Sequence, residues 1–178
     1  MTDFSVKIDR SSTPAKFAFS KQFNVAVPFI DRHIQENRAE RIAIQCGNEI
    51  ITYGCLSEKV NRCGNALLSQ GLTPGDRLLM VVKDTPAFFY LFWGAIKAGI
   101  IPVPVNTLLR TDDYAFMIEK TTCRALCYSP EYKEEILSAI KNNCHVVSGM
   151  HIFLKDDESI EFNTASTLLI GFLSTSPI

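Results

Sequence analysis

Enzyme chemistry needs a nucleophile beside a base, paired carboxylates, a set of metal ligands or a loop that cradles phosphate. Each pattern is testable on the residue order. The chain holds three histidines (His33, His145, His151) and six cysteines (Cys46, Cys55, Cys63, Cys123, Cys127, Cys144). Cys144 and His145 are neighbours, and neighbours in an extended segment point to opposite faces, so they do not read as a nucleophile with its base. No cysteines stand at C-x-x-C spacing, and no second cysteine or histidine pair follows Cys123 and Cys127 at zinc-finger distance. His33 has no partner histidine at ligand spacing and reads as a surface or interface residue. Asp112-Asp113 fits the acidic start of a helix better than an acid/base pair. Asp156-Asp157-Glu158 reads as a solvated loop. The nine glycines never stand two apart, which excludes G-x-G-x-x-G. Gly71 and Gly75 are followed by Asp76 where a Walker loop needs lysine, so they mark a helix stop and a turn.

The elements that would position such groups come from composition and periodicity. Apolar residues make up 47% of the 178, enough for a core, and 18 basic residues mix with 19 acidic ones without a basic block. That excludes a nucleic-acid footprint. The N-terminus has no apolar stretch of the secretory type, and Ala87–Ile96 is far shorter than the roughly twenty residues of a membrane span. Reduced thiols, mostly in apolar surroundings such as RIAIQC and RALCY, and a cytoplasmic protein are the expectation.

Residues 1–22 are polar and read as an irregular leader. Asn24 is placed to cap a helix reaching Asn37. RIAIQC and EIIT, separated by Gly47-Asn48, form a hairpin signal. Thr52 opens a helix over 53–70 with Leu56, Val60, Cys63 and Leu67 at helical period, and Gly71 ends it. RLLMVV reads as a buried strand. Asp84-Thr85-Pro86 starts the helix AFFYLFWGAIKA, which Gly99 stops. IIPVPV is a strand whose prolines suit an edge. Thr111 caps the helix DDYAFMIEK, RALCYS is a strand, PEYKEEILSAIKNN a helix, and HIFL a further strand. KDDESIEFNTAS reads as a polar loop and TLLIGFL as one or two helical turns. Apolar strands alternating with helices predict an α/β fold, a parallel sheet with helices packed on both faces.

Three segments then resemble one family. Thr52-Tyr53-Gly54 with Leu56 resembles the T-Y-x-x-L element of adenylate-forming enzymes. Gly71–Arg77 resembles their G-L-x-x-G-D-R turn, and Gly94–Asn106 their G-x-x-K-A-G-x-x-x-x-P-x-N element. The stretch Asn106-Thr107-Leu108-Leu109-Arg110-Thr111-Asp112-Asp113-Tyr114 resembles N-T-L-L-x-x-D-D-Y of benzoate-CoA and hydroxybenzoate-CoA ligases, and FNVAVPFIDRHI also fits that group.

The resemblance covers about residues 20–155. It implies the incomplete N-terminal part of the adenylate-forming fold: a leader over 1–22, an α/β subdomain over 23–155, and a linker over 156–178 leading toward the family's S-G-S/T-T-G-x-P-K loop. The implied activity of the parent is acid-CoA ligation: an aromatic carboxylate such as benzoate and ATP give an acyl-adenylate and pyrophosphate, and CoA then displaces AMP. ATP, Mg²⁺ and CoA are the implied cofactors, with no tight binding expected of this chain alone. No catalytic residue and no metal ligand is expected within it. One binding residue is implied, Arg110, placed where related ligases put a basic group near the CoA phosphates. An excised piece, a natural truncation and a short splice form all fit, and oligomers through exposed apolar surface are expected. The alternatives are a non-catalytic α/β interaction module, a truncated regulatory form, and a flavodoxin-like binding domain.

Overall fold

The structure, a computed structural model, describes residues 6–141 and the strand backbones at 150–154, 160–164 and 167–169. Its centre is β5 (Arg77–Val81), hydrogen-bonded in parallel to β6 (Ile101–Pro104) on one side and to β7 (Ala125–Tyr128) on the other. β1 to β4 belong to two hairpins described below. Side chains alternate across a strand, so each strand serves two cores. Leu78, Met80, Ala125 and Cys127 pack on one face, and Leu79, Val81, Leu126 and Tyr128 on the other. After Arg77 these two strands are apolar at every position, because both faces are covered.

The first face carries α2 (Tyr53–Ser69) and α3 (Pro86–Lys97); the second carries α4 (Thr111–Thr121) and α5 (Lys133–Lys141). Thr52 caps α2, its Oγ1 accepting from the Cys55 N–H at 3.3 Å, and Gly71 turns the chain away at φ +85°. That conformation suits glycine. α2 and α3 cross with almost no space between them: a Cβ on Gly94 would lie 2.9 Å from both the Cys63 Cβ and the Val60 carbonyl. The hairpin of β3 (Ile42–Cys46) and β4 (Glu49–Thr52) forms as the Gly-Asn signal predicts.

Several expectations need correction. The leader is not irregular throughout, since β1 (Val6–Asp9) and β2 (Lys16–Phe19) pair antiparallel. Their alternating Val6, Ile8, Phe17 and Phe19 supply the strand period that a reading by polarity overlooks. The Asn24 side-chain oxygen accepts from the Ala26 N–H at 3.0 Å at the helix start, but no single long helix follows. The Asn24 amide donates to the carbonyls of Ile96 and Lys97 at 2.9 and 3.2 Å, tying the segment to the end of α3. The helix is a π-helical turn Val27–Asp31 followed by α1 (Arg32–Gln35). α4 begins at Thr111 with Arg110 at the capping position, and a 3₁₀ turn Pro130–Tyr132 precedes α5.

The sheet is mixed as well. It runs β10-β9-β8-β7-β5-β6, where β8 (Met150–Leu154) joins β7 in parallel, and β9 (Ile160–Thr164) and β10 (Thr167–Leu169) add antiparallel strands. Thus part of the expected loop is the strand IEFNT, which alternates apolar and polar residues. TLL is also a strand: so short a piece cannot offset helix nucleation, but it satisfies its backbone by pairing with β9.

Candidate functional site

β6 and β7 are parallel to β5, so the loops following them meet at the carboxyl end of the sheet. The chain goes to one side of β5 to make β6 and crosses to the other to make β7. This reversal of strand order is where α/β sheets open crevices. The loop after β6 and the turn after β7 enclose an open cleft of about 270 Å³, lined by Thr107–Arg110, Tyr114, Glu131, Tyr132 and Glu135.

Local bonds shape the cleft wall. The Asn106 side-chain oxygen accepts from the Leu108 N–H at 2.9 Å, an Asx turn, and the Tyr114 hydroxyl donates to the Asn106 carbonyl at 3.2 Å. The Asp113 carboxylate accepts from the Arg110 N–H at 3.1 Å, which explains one of the two helix-start acids. Burial, with Tyr132 next, raises the Tyr114 hydroxyl above its ordinary value, so it stays a neutral donor. Across the cleft the Lys83 N–H donates to the buried Ser129 hydroxyl at 3.0 Å, and the Lys83 ammonium pairs with Glu131.

Arg110 lies on this cleft, with its side chain 85% exposed and its guanidinium 4.0 Å from Glu135. An ion pair that open contributes little, so the guanidinium is available to another anion. Reading the sequence alone missed Asn106, Tyr114, Glu131 and Glu135 as residues that build one cleft. The Asn-x-Leu turn and the i, i+4 spacing of the two glutamates are the signals that could have found them.

The other chemistry-bearing residues lie elsewhere. His33 stacks on Tyr53 with ring centres 3.6 Å apart and accepts from the Arg38 Nε at 3.2 Å, a surface packing role. Cys63, Cys123 and Cys127 are buried, whereas Cys46 and Cys55 are exposed, contrary to the apolar surroundings inferred for RIAIQC. Cys46 ends β3 at the hairpin turn, where no core remains to cover it. Burial pushes the Cys63 thiol up to about 12, which makes it inert. Cys144 and His145 lie outside the described residues. The glycine turns stand at the opposite end of the sheet from the cleft: Gly71 and Gly75 precede β5, Gly99 precedes β6, and the Gly75 N–H donates to the Gly99 carbonyl at 2.9 Å. They are hinges of the scaffold, not a phosphate cradle.

Residues 30–167 match the family described as AMP-binding enzyme. The chain belongs to the AMP-binding enzyme family. Within the family it is 37% identical over 126 residues to a 4-hydroxybenzoate–CoA/benzoate–CoA ligase of Rhodopseudomonas palustris, covering 71% of this chain and 23% of that protein. A benzoate–CoA ligase of Thauera aromatica is 36% identical over 69% of this chain and 24% of its own length. A benzoate CoA ligase structure from Burkholderia xenovorans superposes with a TM-score of 0.63 at 34% identity, over 67% of this chain and 24% of that one. The chain therefore spans about a quarter of the length of the relatives it matches. This AMP-binding family member has, among the described residues, no group of three His, Cys, Asp or Glu placed to hold a metal ion. No helix among the described residues is long and apolar enough to cross a membrane.

Proposed function

We propose that this chain is the scaffold portion of an ATP-dependent acid–CoA ligase whose substrate is an aromatic carboxylate such as benzoate. In that reaction a carboxylate oxygen bonds to the α-phosphorus of ATP and pyrophosphate leaves. The CoA thiolate then bonds to the acyl carbon and AMP leaves. The observation that carries the reading is the 37% identity to a ligase named for benzoate and 4-hydroxybenzoate. The ligase-like segment Asn106–Tyr114 agrees with it, because it forms one wall of the cleft.

The described residues bind and position; they do not perform the two displacements. Asn106 and Asp113 hold the loop in shape, and Tyr114 anchors it to α4. Arg110 offers its planar guanidinium to a phosphate of the CoA nucleotide, for which two parallel N–H donors suit two phosphate oxygens. The exposed free thiols Cys46 and Cys55 agree with a cytoplasmic protein. Exposed rings such as Phe29 and Phe89 supply apolar surface for self-association.

A graft tests the reading. This chain replaces the matched segment of the Rhodopseudomonas ligase, and benzoate-dependent pyrophosphate release and thioester formation are followed. The expected result is turnover with benzoate. Arg110→Ala in the graft is expected to raise the KM for CoA about tenfold, as loss of a charged hydrogen bond would, with KM for benzoate unchanged. A folded graft that binds ATP yet forms no benzoyl-adenylate would favour the interaction-module reading instead.

A further inference from the structure

We infer that the outer edge of β6 is built to refuse a further strand, so that neither a second copy of this chain nor an extended peptide continues the sheet there. Among the described residues, β6 lies at the end of the sheet order and pairs with β5 alone. Toward β5, the Ile101 N–H donates to the Asp76 carbonyl at 2.8 Å and the Val105 N–H to the Met80 carbonyl at 3.0 Å. Backbone groups alternate along a strand, so residues 100, 102 and 104 direct theirs outward.

None of these three positions has a free donor. The Ile100 N–H is taken by the Ala95 carbonyl at 2.8 Å, where it closes the end of α3. Pro102 and Pro104 have no N–H. The outward row from 100 to 104 therefore presents carbonyl acceptors without donors, whereas an added strand must exchange both.

The side chains explain why such protection matters. The segment Ile100–Val105 carries no charged residue, and Ile101 is 46% exposed. Uncharged, β-branched edges pair readily with other chains, and charge is the usual deterrent. Here proline takes that role. The edge fits a partner that brings donors, such as a side-chain ammonium or guanidinium, and excludes one that brings a strand. This holds whatever reaction the protein serves.

The test restores the missing N–H groups with Pro102→Val and Pro104→Val, singly and together, in the whole chain. Sedimentation velocity is expected to show the double variant associating at concentrations at least roughly tenfold lower than the parent, with each single variant between them. Unchanged association in a double variant with native circular dichroism would overturn the inference. A second arm does not depend on the variants folding. A labelled peptide copying Arg77–Val82 is titrated into the parent chain, and binding no stronger than that of a scrambled peptide is expected. Saturable binding accompanied by new amide protection along β6 would overturn the inference.

Discussion

The two faces of the sheet are covered by helix pairs built on different terms. On one face α2 and α3 meet through Gly64 and Gly94, where an added Cβ would come within 2.9 Å of main-chain and side-chain atoms. On the other face α4 and α5 pack through Tyr114, Ile118 and Ile136, and the loops at their ends hold the cleft open. The difference teaches which family signals are structural. In the Gly94–Gly99 element, Gly94 permits the helix crossing, Lys97 reaches Asp31 at 2.7 Å, and Gly99 turns at φ +78° against Pro74. None of these residues faces the cleft. The family-like residues that do are Thr107–Arg110 and Tyr114, facing Glu131, Tyr132 and Glu135.

If the first face is closed by contact and the second left open for binding, substitutions should separate accordingly. The largest expected effect is that of Gly94→Val, which forces atoms into the α2–α3 crossing. A loss of about 3 kcal/mol in urea unfolding is expected, and a loss below about 1 kcal/mol would break the comparison. Alkaline pH should come next. The Cys63 thiol is raised from 9.0 to about 12 by burial, so between those values the folded chain keeps a proton that the unfolded chain releases. Stability is then full below pH 9 and falls as pH rises. The expected loss from this thiol is on the order of 1 to 2 kcal/mol at pH 10. Cys63→Ala should flatten the slope between pH 9 and 10 in denaturation curves, and an unchanged slope would argue that the thiol reaches solvent.

Smaller still is Asn24→Ala, which removes donors from the carbonyls of Ile96 and Lys97. About 1 kcal/mol is expected, because water replaces part of what is lost. Hydrogen exchange should show faster opening in residues 24–31 while β5 keeps its protection. The smallest effect belongs to the open face: Arg110→Ala should change stability by less than about 0.5 kcal/mol. A larger loss would make Arg110 a structural residue and remove it from the binding account.

The α/β alternation was legible because β7 is apolar at every position and β5 at every position after Arg77, and because Thr52, Pro86, Gly71 and Gly99 punctuate the helices with specific backbone chemistry. The edge position of β6 was legible from its prolines. Three features were not. Asn24 makes the local bond of a helix start through its side-chain oxygen, but its amide finds partners more than seventy residues away, at the end of α3; no local pattern encodes that second contact. β9 and β10 lie in a stretch dominated by charge and turn residues, where three or five paired residues leave too short a period. The cleft was only partly visible: Arg110 stood out through the family likeness, while Glu131 and Glu135 join it through the crossover from β6 to β7.

The central proposal is that the described residues form a scaffold of the AMP-binding family and do not themselves hold the phosphates of ATP. Calorimetric titration of the purified chain with ATP and with a non-hydrolysable benzoyl-adenylate analogue tests this directly. No saturable heat is expected with either ligand. Saturable binding at micromolar concentration would contradict the account.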